Sequence, residues 1–441
     1  MGARKMEKKY DYLIIGGGIS GLHIGALLSQ HGRVIIFEKS HELGGRARVE
    51  TIENFKLDYG VHPIRFGPNS ALGTSLIELE KSISFIKPGK SWAFLKNGEK
   101  TIFPTGGLMA IVRSSMVPFV STLRLLLKIK KMEEKELKEL YNLSMEKWFE
   151  RENIIPELKN FLIMASSAIQ VNPFPDRSSI GELLHNIKRV LEIGSVYYPK
   201  GGWDILFSQF VDVIGENDGI IRKNSRVQKI VVENGVAVGI KVEDDIISAN
   251  HIISTIPVQK LFSILDEKLC DNDFVEKCKN LRPTAGISID FLLERKVSEI
   301  DGMIFFDDPL SFGFIPSNLS PEITPKEKSL MSFLRIVNVE DIRDKNKRDE
   351  LYREFRGNIL KWFPDIETNL VKERPLFLDM VDGVEVNVNQ HKFKRPDHSI
   401  NSISNFWMCG DSVGGEGAGG DVGHTSVREC YEKITKSVEE T

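Results

Sequence analysis

The clearest pattern in the chain lies near its N-terminus, where two short apolar runs flank a segment with helical spacing. Residues 12–15 are apolar and suit a buried parallel strand. A glycine cluster follows, and residues 22–30 then repeat apolar positions with the period of a helix. A second apolar run, residues 34–37, ends at Glu38. Together these segments predict a strand, a helix and a strand of the βαβ type.

The middle of the chain is first helical and then strand-like. Residues 108–143 place basic side chains among leucines with a helical pattern, and helical segments continue beyond them. Residues 227–242 read as two strands around Asn234-Gly235, which is a strong signal for a two-residue hairpin. With the apolar run 251–256 they predict a three-stranded meander.

The C-terminal part alternates again between the two patterns. Strand-like runs over residues 281–390 surround a helical pattern near residues 347–362. An apolar strand over residues 406–409 then leads into a glycine-rich loop and a helix from about Gly423. Because both ends of the chain place a glycine-rich loop between a strand and a helix, we expect them to meet in one discontinuous domain.

The composition is that of an ordinary globular protein. The chain has 441 residues, of which 41% are hydrophobic and 27% charged, and this length favours two associated domains. The formal net charge is -3, so no nucleic-acid partner is expected. The four cysteines are irregularly spaced, which predicts neither a disulfide framework nor a metal site and favours a cytoplasmic location. No apolar run reaches the roughly 18 residues of a membrane-spanning helix.

Gly16, Gly18 and Gly21 form a GxGxxG pattern between the first strand and the first helix. In a dinucleotide-binding fold the first glycine permits a tight turn, the second lets the backbone approach a pyrophosphate, and the third lets the helix pack closely on the strand. The helix N-terminus, with Ile19 and Ser20 in its first turn, favours negative charge. The surrounding strand, helix and acid make this motif far more specific than the glycines alone.

Glu38 ends the second strand, where a carboxylate accepts hydrogen bonds from the ribose hydroxyls of an adenosine. It also repels a 2′-phosphate, which argues against NADP. This unit alone does not distinguish FAD from NAD, because both contain ADP. The next segment, LGGRAR, favours FAD because it adds Gly45 for close backbone approach and Arg46 as a cation for the pyrophosphate.

The chain resembles the flavin-containing amine oxidase superfamily, and within it the phytoene desaturase-like branch. The resemblance rests on GGGISG with Glu38, on LGGRAR, on LDYGVHPI (residues 57–64) and on FWMCGDSVGGEGAGGDVGHTS (residues 406–426). It implies that residues 57–64 pass near the flavin ring and that Val227 contacts the adenine through its backbone. It also implies that Asp411 meets the ribityl or phosphate region.

The same resemblance implies that residues 419–422 place a helix N-terminus against the pyrimidine edge of the flavin, where a reduced flavin gains negative charge. The expected cofactor-binding residues are Gly16, Gly18, Ile19, Ser20, Gly21, Glu38, Lys39, Gly45, Arg46, Gly60, Val61, His62, Val227, Gly410, Asp411, Gly419, Asp421 and Val422.

The expected fold class is α/β, with two interleaved domains. A discontinuous Rossmann-like FAD-binding domain with a β-meander takes residues 1–75, 196–260 and 396–441. An α+β substrate domain with a helical cap is inserted between these pieces and takes residues 76–195 and 261–395.

FAD is expected to be bound without a covalent link. The C-terminal segment lacks the cysteine pattern that holds flavin covalently in some amine oxidases, and Cys409 and Cys430 fit core positions. Hydride transfer to or from flavin N5 does not require a protein acid or base, so no catalytic residue is assigned. His62 is the best candidate, since it lies in the segment near the ring, but a histidine that shapes the turn by bonding the backbone is the commoner case.

Residues 108–131 combine apolar positions with Arg113, Arg124 and three lysines. Such a segment either lies in a membrane interface and admits a lipophilic substrate, as related desaturases are believed to do, or packs as a cap with a solvated basic face. The resemblance to the phytoene desaturase-like branch makes desaturation, saturation or isomerisation of a hydrophobic polyene or isoprenoid the leading function. A flavin amine oxidase, a protoporphyrinogen-type oxidase and a prenyl-binding escort of the GDP-dissociation-inhibitor type are the alternatives. The oligomeric state is left open.

Overall fold

A computed structural model describes residues 10–105, 107–194 and 196–439. Its central element is an eight-stranded sheet whose parallel part is built from three separate stretches of the chain. In spatial order the parallel strands are Ile220–Arg222, Val34–Phe37, Tyr10–Ile15, Asp245–Ser254 and Ile403–Met408. Ile14 pairs with Ile36 on one side and with Ile253 on the other, and all three are fully buried. Burial on both faces explains why residues 12–15 and 34–37 appear in the sequence as uninterrupted apolar runs.

The predicted meander is confirmed. Strands Val227–Glu233 and Val236–Val242 are antiparallel, and the second pairs with the first half of Asp245–Ser254. Asn234 and Gly235 both have positive φ, 51° and 76°, as a type I′ hairpin turn requires. The short strand Ser399–Ile400 completes the sheet at its other side by pairing with Ile403–Met408.

A second, seven-stranded sheet holds most of the strand-like runs of residues 281–390, together with two strands from earlier in the chain. In spatial order its strands are Leu370–Leu378, Ala285–Leu293, Ser329–Val337, Leu310–Phe314, Ile304–Asp307, Trp92–Phe94 and Lys100–Ile102. The helix Lys345–Trp362 packs on it through Phe355 and Ile359, both fully buried.

The helical segment predicted over residues 108–131 consists of two helices, Leu108–Arg113 and Phe119–Lys131. They are separated because Pro118, which has extended backbone and directly precedes the second helix, has no N–H to donate and disfavours helical backbone in the residue before it. The second helix buries Thr122, Leu125 and Ile129, which are spaced as one helical face.

The remaining helices complete a helical layer and cover the main sheet. The other helices of the layer are Glu134–Leu140, Met145–Arg151, Pro156–Ile169 and Ile180–Ile193. Ile19–Ser29 and Gly420–Glu439 contact strands of the main sheet, Asp204–Glu216 packs on the first of these helices and Ala71–Glu78 on the second. The other helices are Asn272–Asn280, Pro316–Leu319, Val339–Arg343 and Asp365–Thr368. Two small sheets pair Val49–Ile52 with Phe55–Asp58, and Val196–Pro199 with Ile64–Arg65 and Phe85–Ile86. Among the described residues, no helix is long and apolar enough to cross a membrane.

One fully buried ion pair joins the helical layer to the segment before the last strand of the main sheet. Arg395 Nη2 lies 2.7 Å from Glu182 Oε1, and neither side chain is more than 1% exposed. Arg395 also donates to the carbonyl oxygen of Gly415 in the C-terminal glycine-rich loop. The layers therefore share a polar contact as well as an apolar core. The domain boundaries proposed from the sequence remain predictions.

Candidate functional site

The parallel sheet brings three loops to one edge. Gly16 N–H donates to the carbonyl oxygen of Phe37 (2.9 Å), and Thr255 N–H donates to that of Ile15 (2.9 Å). Cys409 N–H in turn donates to the carbonyl oxygen of Ser254 (3.1 Å). The loops that follow the strands Tyr10–Ile15, Asp245–Ser254 and Ile403–Met408 therefore start side by side, at the carboxyl ends where open α/β sheets bind ligands.

The first of these loops contains two glycines with opposite constraints. A Cβ on Gly21 would lie 1.9 Å from the carbonyl oxygen of Gly16, so close packing of helix on strand forbids any side chain there. A Cβ on Gly18 would meet nothing closer than 3.8 Å, at Gly45 Cα, and Gly18 has φ -70°, which any residue adopts. The protein itself therefore does not require glycine at Gly18, and the space beside it lies open.

The helix that starts here leaves the N–H groups of its first turn outside the helical ladder. Leu22 N–H is bonded to the carbonyl oxygen of Gly18 (3.0 Å), which is the first bond of that ladder. The N–H groups of Ile19 and Ser20 precede this bond, and no side chain caps the helix. Together with the helix dipole they form a site suited to a phosphate.

Glu38 is buried and both its carboxylate oxygens accept backbone hydrogen bonds. Gly17 N–H donates to Oε2 (2.7 Å) and Ser40 N–H donates to Oε1 (2.7 Å). Ser225 N–H donates to the backbone oxygen of Glu38 (2.8 Å), which brings the buried Val227 to the same region. Glu38 thus holds the glycine loop in shape, and its remaining lone pairs suit a ribose. The neighbouring Lys39 is exposed.

The C-terminal glycine-rich loop meets the N-terminal helix at Ser20. A Cβ on Gly410 would lie 3.9 Å from Ser20 Oγ, and one on Gly423 would lie 3.3 Å from it. Gly410 N–H donates to Ser426 Oγ in the last helix (3.2 Å). Two loops separated by almost the whole chain therefore form a single site.

Arg46 and Asp411 form a bidentate ion pair that ties the LGGRAR segment to the C-terminal loop. The two N···O distances are 2.7 and 2.6 Å, and Gly383 N–H also donates to Asp411 Oδ2 (2.6 Å). Burial raises the pKa of Asp411, but the Arg46 guanidinium outweighs it and the net pKa is lowered. The expectation was that Arg46 would meet the pyrophosphate; in the structure its charge is paired with Asp411.

Gly60, Val61 and His62 form a turn that is fixed by its own backbone. Gly60 has φ 113°, a conformation that favours glycine, and Val61 is buried. His62 Nε2 lies 3.1 Å from the carbonyl oxygen of Tyr59, while Trp203 Nε1–H donates to that of His62 (2.6 Å). Burial lowers the pKa of His62 to about 4, so the ring is neutral near pH 7. This geometry is that of a histidine that shapes the turn.

The last helix starts at Gly420, directly after Gly419 with φ 62°. Val422 N–H donates to the carbonyl oxygen of Gly419 (3.2 Å), and Asp421 is paired with Arg189 Nη1 (3.1 Å). Burial raises the pKa of Asp421, although Arg65 and Arg189 oppose the shift. Sequence reasoning missed both arginines, because they lie far from Asp421 in the chain and carry no motif.

A second polar cluster that the sequence did not reveal lies next to the turn of residues 60–62. The buried Arg374 guanidinium donates to Asp290 (2.9 and 2.7 Å), to Glu50 (2.8 Å) and to the backbone oxygen of Asp58. Tyr198 O–H donates to Asp58 Oδ2 (2.9 Å), and burial raises the pKa of Asp58 to about 7. The sequence offered one sign of this cluster, because Asp290 is the single charged residue of the strand Ala285–Leu293.

The arrangement is that of a dinucleotide-binding fold, with the candidate site between the two glycine-rich loops. Residues 19–423 of the chain match the family described as flavin containing amine oxidoreductase. The protein therefore belongs to this family and is an FAD-dependent oxidoreductase.

Individual relatives agree with this assignment. The chain is 23% identical over 420 residues to an uncharacterized protein of Methanocaldococcus jannaschii, covering 92% of this chain and 94% of that protein. It is 24% identical over 435 residues to the 15-cis-phytoene desaturase of Synechococcus elongatus, covering 90% of each. Its structure matches that of an oxidoreductase from Methanosarcina mazei with a TM-score of 0.81 and 20% identity, over 96% of this chain and 100% of the other.

The residues present fit an FAD. The open space at Gly18, the N–H groups of the first helical turn and the partly engaged Glu38 suit the ADP half. The buried Asp382 Oδ2 has no hydrogen-bond partner among the described residues, and it lies beside Gly419, where the resemblance puts the flavin. A buried polar atom without a partner is what a missing ligand leaves behind.

The two glycines lead to a prediction that separates folding from cofactor binding. We expect Gly18→Ala to leave the melting temperature of the cofactor-free protein unchanged and to weaken FAD binding at least tenfold, because the new methyl group enters the ligand space only. Gly21→Ala, the matched control, should instead lower the free energy of unfolding by more than about 2 kcal/mol through overpacking. Thermal unfolding and FAD titration measure the two effects. Wild-type FAD affinity in Gly18→Ala would show that the loop does not face the cofactor.

Proposed function

We propose that the enzyme transfers a hydride between a hydrophobic polyene or isoprenoid and flavin N5, in a desaturation, a saturation or an isomerisation. The observation that carries this proposal is an apolar surface on the helical layer. Six of the fourteen large hydrophobic side chains that are exposed among the described residues lie within 20 positions, namely Leu108, Met109, Val112, Phe119, Val120 and Leu127. A lipophilic substrate needs such an entry surface, and the similarity to a phytoene desaturase supports the same substrate class.

The roles of the chain's own residues follow from the geometry. Ile19 and Ser20 would bind the pyrophosphate through their N–H groups, and Glu38 would accept from the ribose. The pair of Arg46 and Asp411 ties the LGGRAR segment to the C-terminal glycine-rich loop. When bound, the flavin supplies the hydride chemistry.

On the substrate side, the protein positions the substrate and excludes water. The neutral His62 is held by Tyr59 and lies against Trp203, with ring centroids 5.3 Å apart, so it presents a fixed surface rather than a proton. Five phenylalanines on strands of the second sheet are all buried, namely Phe305, Phe306, Phe312, Phe314 and Phe333. Phe305 stacks on Phe103 with centroids 4.0 Å apart, which suits core packing.

The function is tested with the purified holoprotein under anaerobic conditions. We expect a polyene or isoprenoid in detergent micelles to change the flavin spectrum by reducing the oxidised enzyme or reoxidising the reduced one, because hydride transfer directly changes the state of the flavin. Peroxide release with amines and oxygen, without any response to polyenes, would favour an amine oxidase. Reduction by a porphyrinogen alone would favour a protoporphyrinogen-type oxidase, and colourless protein that takes up no FAD would favour the escort.

We further propose that FAD is bound non-covalently. Cys409 and Cys430 are fully buried near the last strand and the last helix, and burial raises the pKa of the Cys430 thiol well above its usual range. Neither side chain therefore offers an exposed thiolate for a bond to the flavin.

Acid precipitation tests this prediction. We expect all the flavin to stay in the supernatant when the holoprotein is precipitated with trichloroacetic acid, because only a covalent bond survives unfolding. Flavin fluorescence of the washed pellet is the measurement. A yellow pellet whose tryptic digest contains a flavin peptide would contradict non-covalent binding.

The same apolar surface leads us to propose peripheral contact with anionic membranes. The exposed hydrophobic residues of the two helices alternate with the exposed cations Arg113, Arg124, Lys128, Lys130 and Lys131. Apolar insertion and attraction to anionic headgroups, about 1 kcal/mol for each cation near the surface, would act together.

Vesicle flotation measures this contact. We expect the protein to float with vesicles of phosphatidylserine and phosphatidylcholine and to bind phosphatidylcholine alone much less. Val120→Asp should weaken binding about tenfold because it puts a charge into the inserted face. Ile246→Asp is the matched control, since Ile246 is similarly exposed, at 49% against 56%, but lies in the meander. Equal vesicle binding by both variants would show that this surface is not the membrane contact.

A further inference from the structure

Asp382 lies between two residues that hold the cofactor loops together. The carbonyl oxygen of Val381 accepts a hydrogen bond from Arg46 (3.1 Å), and Gly383 N–H donates to Asp411 (2.6 Å). Asp382 is therefore flanked on both sides by contacts to the pair that joins the LGGRAR segment to the C-terminal loop. Its backbone has no freedom to swing away from the site.

The backbone of Asp382 is also anchored from the substrate side. Its N–H donates to Thr284 Oγ1 (2.9 Å), and its carbonyl oxygen accepts from Thr284 N–H (3.2 Å). Thr284 directly precedes the strand Ala285–Leu293 of the second sheet. The backbone around Asp382 is thus anchored to the loops of the candidate site and to the residue before a strand of the second sheet.

The carboxyl group of Asp382 faces the start of the last helix and is not satisfied there. Its Oδ2 is buried without a hydrogen-bond partner among the described residues. A Cβ on Gly419 would lie 3.9 Å from this oxygen and 4.0 Å from Arg65 Nη2. Arg65 itself donates to Asn186 (3.0 Å) and to the carbonyl oxygen of Ile169. Asp421 nearby is paired with Arg189, whereas an unpaired buried oxygen costs free energy that a ligand contact would recover.

We propose that Asp382 contacts the flavin beside Gly419, and that its carboxyl group controls how strongly the protein stabilises the reduced, negatively charged cofactor. This inference rests on the proposed FAD site and adds a residue to it that carries no motif. A carboxyl group next to a flavin acts in two ways. When protonated it can donate a hydrogen bond to the reduced flavin, and when ionised it opposes the negative charge.

The charges around Asp382 make both states accessible near neutral pH. Burial raises the pKa of Asp382 to about 7, and the Asp411 carboxylate adds to the shift. The guanidinium groups of Arg46, Arg65 and Arg395 oppose it. Below this pKa the group is neutral, and above it a negative charge faces the cofactor, so stabilisation of the reduced flavin should decrease as the pH rises.

The experiment compares the flavin reduction potentials of the wild type and Asp382→Asn from about pH 6 to about pH 9. We expect the two potentials to agree at the acidic end, where both side chains are neutral. Above about pH 7 the wild-type potential should fall below that of the variant, and the gap should grow with pH. Asp379→Asn is the matched control, because Asp379 is exposed in the same segment, and it should follow the wild type throughout.

Each outcome decides between defined alternatives. A wild type that binds no FAD would reject the proposed cofactor site itself. Wild type and Asp382→Asn with the same potentials at every pH, both holding FAD, would reject only the role of Asp382. If Asp382→Asn loses its flavin, Asp382→Glu is measured by FAD titration. Retention by Asp382→Glu supports a contact made by the carboxyl group, and loss from both variants overturns it, because the shape of the segment would then be what matters.

Discussion

The site depends on the alignment of parallel strands that come from distant parts of the chain. Hydrogen bonds from Gly16 to Phe37, from Thr255 to Ile15 and from Cys409 to Ser254 continue the ladder past the ends of the strands. They fix where each loop begins. Because parallel strands have their carboxyl ends at one edge, loops that are hundreds of residues apart must meet there. The strand order alone therefore brings the glycine-rich loops together.

In the candidate site, charged side chains are paired with one another. Arg46 is paired with Asp411, and Arg189 with Asp421. The N-termini of the first and the last helix remain as fixed positive poles. Such poles are oriented by the fold before any ligand arrives and need not rearrange when charge develops. Asp382 is different, because its Oδ2 has no hydrogen-bond partner in the described part of the chain and burial raises its pKa to about 7.

The sequence was informative wherever the determinant is local. The GxGxxG loop, the acid at Glu38 and the Asn234-Gly235 turn are each specified within a few residues, and the structure has a loop, a buried carboxylate and a hairpin at these positions. The break before Pro118 was equally local, but the strong amphipathic pattern on both sides obscured it.

Pairings between distant residues could not be predicted. Arg46 and Asp411 were both singled out, yet as ligands of the cofactor and not as partners, because a separation of 365 residues gives no indication of contact. The network around Arg374 depends on the register of strands Leu370–Leu378 and Ala285–Leu293, which places Arg374 opposite Asp290. Only the assembled sheet determines that register.

The buried pair of Arg395 and Glu182 has a consequence for engineering. Glu182 belongs to the helical layer, whereas Arg395 supports the loop at Gly415, so each element supplies the counter-ion of the other. A helical layer grafted from a relative, or removed to open the substrate side, would leave a guanidinium without charge compensation in the interior unless the acid is carried along. Chimeras of this scaffold should therefore be cut so that both residues come from the same parent.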